Sequence, residues 1–274
     1  MNTDGSHLRR LTFNPKADRE PSWSPDGTKI VFIRVDDIGS LSGDIYVMNA
    51  DGSREQFLTK GGNPRWSPDG TKIAFHKQDI TGYQAELDAT VWVMNADGSH
   101  QREVATNAAD PAWLPDGHTI AYGGLDKKKI TNVITVSADS LKPNTNKSQV
   151  TRDPVFACQP DVSPNGRYVA YIAIGHQLPH LEMIDIDGRG KPRHLTHTLV
   201  ESEFSPSWSP DGTVIAIERD PDVDPHYANV AGVAVQQGTR PSVIVLVAAD
   251  GSRETILSGG SFSYADPAFA PRGP

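Results

Sequence analysis

One cysteine, Cys158, in 274 residues excludes any intramolecular disulfide and any metal centre built on several thiolates. No run of eighteen apolar residues occurs, and the first twenty residues are polar. The sequence is therefore expected to be soluble, with neither a membrane helix nor a signal peptide. Lysine and arginine number 26 against 34 aspartates and glutamates, a net charge of −8, so the basic footprint that would contact phosphates is missing. A nucleic acid or an inserted membrane is not an expected partner. An apolar period of 3.6 never persists over a dozen residues, which removes helices of useful length. A Gly-x-Ser-x-Gly elbow and a glycine-rich phosphate loop are also missing, and with them a serine-hydrolase mechanism and a nucleotide cradle.

What is abundant is turn chemistry, with 24 glycines and 21 prolines, twelve of the prolines and six of the glycines in one repeated phrase. Pro21-Ser-Trp-Ser-Pro-Asp-Gly27 returns at Pro64, Pro111, Pro160 and Pro206, and in degenerate form as Pro267-Ala-Phe-Ala-Pro-Arg-Gly273. Successive copies start 43, 47, 49, 46 and 61 residues apart, the period of a propeller blade rather than of a helical solenoid. In each copy an apolar residue precedes a four-residue turn with proline second and glycine fourth, which predicts a type I hairpin. Strand-like runs such as Lys29–Ile33 and Lys72–Phe75 follow, then a variable loop and a third run such as Ile45–Met48 or Val91–Met94. A second turn, Asp51-Gly-Ser or Asp97-Gly-Ser, leads to a fourth run. Four antiparallel strands make one blade.

Trp-Ser-Pro-Asp-Gly followed by Ile-Tyr-Val-Met-Asn-x-Asp-Gly resembles the repeat of the TolB-like, or WD40-like (PD40), β-propellers, and the resemblance covers residues 1–274. It implies an all-β, six-bladed type of propeller in a single domain. Blades start near 21, 64, 111, 160, 206 and 267, and residues 1–12 contribute to the last. Five blades are expected to be complete and the sixth incomplete, shared by the two ends of the chain, and self-association through that unfinished blade is one consequence. The resemblance implies a binding or scaffold role toward a protein, peptide or small polar ligand. It equally allows a metal-assisted carbohydrate lyase or hydrolase, or a substrate-gating piece of a peptidase-like enzyme, because fold does not select among these. A periplasmic location follows only if the resemblance extends to location.

Candidate site residues come from the repeat register. The residue before each repeated proline, Glu20, Asn63, Asp110, Gln159, Ser205 and Asp266, is expected to start an innermost strand, so that these side chains converge on the channel mouth. They suit a polar ligand or a hard cation such as calcium, or else they bond to backbone amides between blades. Two residues further on, Arg65 and Asp161 replace small residues and predict an asymmetric polar feature near the axis. His76 and His176 fall on the loop-bearing face, with His180, His197 and His226, whereas His7, His100, His118 and His194 do not. No two histidines share a compelling ligand spacing. The longest loop, 218–242, carries Asp220, Asp222 and Asp224, a possible cation cluster or an acidic lid. The repeated turn itself is expected to lie away from the site.

Overall fold

The computed structural model describes residues 4, 6–36, 40, 42–78, 89–152, 156–175, 178–196, 201–220, 242–257 and 266–271. His176, Asp222 and Asp224 lie outside the described residues.

Each repeat folds from its turn outward. In the second copy the Gly70 N–H donates to the Ser67 carbonyl at 2.9 Å, closing the turn, and Gly70 takes φ 71°, which glycine adopts without a Cβ penalty. The Ser67 hydroxyl donates to Asp69 Oδ1 at 2.6 Å and accepts the Lys72 N–H at 2.9 Å. Asp69 Oδ1 accepts the Thr71 N–H at 3.0 Å. These bonds to its ionised form hold Asp69 down at about 2. Ser67 is buried. Ser67→Ala is therefore expected to orphan the Lys72 amide and cost about 1 kcal/mol, read as a small drop in urea midpoint with an unchanged slope.

Nineteen strands form five four-stranded antiparallel sheets among the described residues. The first blade is β1 (Ala17–Trp23), β2 (Lys29–Val35), β3 (Gly43–Asn49) and the first half of β4 (Gln56–Trp66). The second half of β4 begins the second blade, with β5 (Lys72–Lys77), β6 (Thr90–Asn95) and β7 (Arg102–Thr106). The third is β8 (Ala108–Trp113), β9 (Thr119–Leu125), β10 (Thr131–Ser137) and β11 (Ser148–Gln149). The fourth is β12 (Phe156–Val162), β13 (Tyr168–Ile174), β14 (His180–Asp185) and β15 (Arg193–His194). The fifth is β16 (Ser202–Trp208), β17 (Val214–Asp220), β18 (Val243–Ala248) and β19 (Glu254–Leu257). Because β4 runs unbroken, the outer strand of one blade and the inner strand of the next are a single element.

The core lies between consecutive blades. Val93 and Val104 of the second pack with Trp113, Tyr122 and Val136 of the third, and Tyr171 of the fourth packs with Ala121 and Val133 of the third. Turn contacts repeat too: Gly70 sits against Pro25, Gly166 against Pro115 and Gly212 against Pro164, each on the proline of the preceding blade.

The sixth sector is marked from both ends of the chain. Gly27 rests on Pro271, as Gly70 rests on Pro25, so the last repeat fills the place of a preceding blade. On the outside, Gly52 meets Leu11 as Gly98 meets Leu58, which puts the N-terminal segment where an outer strand would run. Neither segment carries assigned strand structure among its described residues.

Candidate functional site

The residue before each repeated proline has a backbone no sequence pattern announced. Glu20, Asn63, Asp110, Gln159, Ser205 and Asp266 all take positive φ, between 46° and 53°. In each of the five sheets the inner strand also carries a bulge there: Arg19 and Ser22, three apart, pair with Ile33 and Val31, two apart. The same slip recurs at Gly62/Arg65, Ala109/Ala112, Cys158/Asp161 and Phe204/Ser207. Proline has no N–H to lose from a ladder and the inner strand is an edge, so the bulge is tolerated here. It places Glu20, Asn63, Asp110, Gln159 and Ser205 inside the inner strands rather than at their start. Each left-handed non-glycine residue costs about 1–3 kcal/mol, which the surroundings must offset.

The offset is a chain of hydrogen bonds that runs from Gln159 through Ser205, Asp266, Glu20 and Asn63 to Asp110. The Ser205 N–H donates to Gln159 Oε1 at 2.9 Å, and the Ser205 hydroxyl donates to Asp266 Oδ1 at 2.9 Å. Asp266 Oδ2 accepts from the Glu20 N–H at 3.3 Å and from Arg19 Nε at 3.1 Å. Glu20 Oε2 accepts the Asn63 N–H at 2.5 Å, and Asn63 Nδ2 donates to Asp110 Oδ1 at 2.9 Å. Buried His76 joins at this point, its Nδ1 accepting the Asp110 N–H at 3.4 Å. Asn63 Oδ1 is buried with no hydrogen-bond partner.

This run of bonds is electrostatically loaded. Burial, and then the charges of Asp266 and Asp110, push Glu20 up to about 8, against the pull of the Asn63 amide and Arg65. Glu218 on β17 rises to about 7, again through burial first and Asp266 second. Asp220 is buried at the end of β17, opposite Ser202.

Toward the turns, the channel opens into a cavity of about 220 Å³. Its wall includes Trp23, Trp66, Trp113 and Phe269 of the repeated motif, with Arg65 and Asp161 among them. Asp161 Oδ2 accepts the Trp208 N–H at 2.7 Å, and burial lifts its carboxyl to about 6 against that bond and the charge of Arg65. The Arg65 guanidinium donates to the Pro64 carbonyl at 3.3 Å and has no ion-pair partner among the described residues. The repeated motif, expected to lie away from the site, thus lines a cavity around Arg65 and Asp161.

The histidine grouping also needs correction. His180 and His194, assigned to different faces, stack with ring centroids 5.2 Å apart, both against Glu182. His180 begins β14 and shares a face with Glu182, and ladder pairing with β15 brings in His194.

Among known proteins, the family model described as TolB beta propeller domain, PD40, matches residues 1–140 and 57–273. No curated protein matches the chain. Among solved structures, the putative TolB from Agrobacterium tumefaciens is similar at 19% identity over 91% of this chain and 83% of that one, with a TM-score of 0.73. TolB from Acinetobacter baumannii is similar at 18% identity over 98% of this chain, TM-score 0.74, and the match spans 61% of that protein's length. An oligogalacturonate lyase from Vibrio parahaemolyticus is similar at 13% identity over 90% of this chain and 67% of that one, with a TM-score of 0.54.

Proposed function

Because the chain belongs to the TolB beta propeller (PD40) family, we propose that it is a non-catalytic binding propeller that receives a peptide or an extended segment of a partner protein at the turn-side mouth of its channel. The observation that carries this reading is the pairing of Arg65, without an ion-pair partner among the described residues, and Asp161 on the wall of one aromatic-lined cavity. Opposite charges held apart favour an incoming group that answers both, and aromatic walls suit the apolar part of the same segment. At about 220 Å³ the cavity suits one or two anchoring side chains. Small-molecule sites usually span ~300–1,000 Å³, so an oligosaccharide chain is a poor fit.

A metal-assisted lyase would draw on Glu20, Glu218 and His76. Raised carboxyl pKa values suit acid–base work. Yet Glu20 and Asp266 already accept backbone amides of neighbouring repeats, the bland role anticipated for them. The oxygen of Asn63 left unpartnered beside Glu20 and Asp110 would suit a hard cation such as calcium as an accessory to the channel.

Panning a random peptide phage library on the whole chain tests the reading. Selected peptides are expected to bind the unmodified protein and lose at least ~10-fold in affinity to Arg65→Ala or Asp161→Asn, about 1.4 kcal/mol or more. Peptides that bind all three proteins equally would place recognition elsewhere.

A further inference from the structure

We propose that His180, Glu182 and His194 form a binding site for a divalent transition metal, zinc above all, on the outer strands of the fourth blade. Alternate residues of a strand share a face, so His180 and Glu182 on β14 project together. On β15, His194 lies directly opposite Glu182 in the ladder, and on the other side so does Tyr171 of β13. Three strands thus converge on one carboxylate.

The distances are those a metal needs. His180 Nε2 is 3.3 Å from Glu182 Oε1, and His194 Nδ1 is 3.2 Å from the same oxygen. One ligand atom from each of the three residues lies within 4.8 Å of the other two, the one such set among the described residues. Bonds of 2.0–2.1 Å at tetrahedral angles separate ligand atoms by roughly 3.3 Å, so an ion fits with small adjustments.

The surrounding bonds prepare the ligand atoms. His180 Nδ1–H donates to the Leu178 carbonyl at 3.0 Å, which leaves Nε2 of the neutral ring with its lone pair toward Glu182. The Tyr171 hydroxyl donates to Glu182 Oε2 at 2.6 Å, leaving Oε1 as the coordinating oxygen. Two imidazole nitrogens aimed at one carboxylate oxygen each need a proton to bond it; a single metal ion replaces both. Two nitrogens and one oxygen suit zinc better than calcium or magnesium, which prefer oxygen alone.

Glu182 and His180 are buried, whereas the His194 side chain is 55% exposed, so the remaining coordination position opens to water. The ion would also fasten β15, only two residues long, to the blade.

The test uses untagged full-length chain stripped of metal, titrated with zinc chloride against a chromogenic chelator and separately with cobalt(II). One zinc per chain, cobalt absorption bands in the visible, and a zinc-dependent rise in Tm are expected. His194→Ala, at an exposed position, is expected to fold with the Tm of the metal-free protein and to weaken zinc about 100-fold or more, since even supporting residues commonly cost ~10–100-fold. Glu182→Gln should weaken it similarly, and His76→Ala should not. Absence of saturable zinc uptake by the unmodified chain, or undiminished uptake by His194→Ala, overturns the proposal.

Discussion

Replacing Glu20 by glutamine is expected to raise the melting temperature at pH 8 and to leave it nearly unchanged near pH 4. The folded protein holds this carboxyl at about 8 against an ordinary 4.5, because ionising it means leaving a charge buried beside Asp266 and Asp110. Below pH 4.5 the group is neutral in both the folded and the unfolded chain, and the native state carries no penalty. Between 4.5 and about 8 the unfolded chain gives up the proton while the folded one keeps it, so stability falls with rising pH at up to about 1.4 kcal/mol per unit. Glu218, at about 7, adds to the same slope, and the two are tied through Asp266. Glutamine keeps an oxygen for the Asn63 amide and removes the charge. A gain on the order of a few kcal/mol at pH 8 corresponds to roughly 5–10 °C in a chain of this size. Thermal scans from pH 4 to 8 decide it: the variant's curve should be flatter, and curves that run parallel would refute the buried-charge account. The turn aspartates do not interfere, because Asp26 and Asp69, held at about 2, titrate below this window.

Glu203→Ala is expected to be the most damaging single change between the fourth and fifth blades. Glu203 is fully buried on β16 and accepts the Leu181 N–H of β14 at 2.9 Å, as well as the Thr196 hydroxyl. Its other oxygen takes Arg219 Nη2 at 2.6 Å. Arg219 is itself buried and keeps Glu254 at 2.7 Å, so alanine would strip one of its partners and orphan groups on two blades. Breaking a buried ion pair from one side costs about 3–5 kcal/mol, or roughly 10 °C of Tm here. Calorimetry on the variant is the measurement; a loss of only a degree or two would mean that water or Glu201 replaces the lost carboxylate.

The contrast between these two glutamates shows where sequence reading succeeds. Glu20 was identifiable because the repeat aligns it with Asn63 and Asp266, and convergence follows from alignment alone. Its left-handed backbone was not legible, since a residue before proline in a strand-like run reads as ordinary extended chain. Glu203 lies in an unremarkable part of the fifth repeat, and only packing against Leu181 and Arg219 reveals its role. Arg65 and Asp161 stood out as the large residues among small ones, but the cavity they share with the motif tryptophans needed the ring assembled. The histidines at 180 and 194 failed for a similar reason: a turn of variable length separates their strands, and register across such a turn is set by tertiary pairing.

Asp266 joins the fifth blade's Ser205 to the first blade's Glu20, and it follows every blade in the chain. One side chain from the end of the chain thus fastens the last described sheet to the first, and its charge, after burial, is what favours the protonated form of Glu20. The tie between the two ends of the chain is therefore a polar one, and its strength is expected to vary with pH.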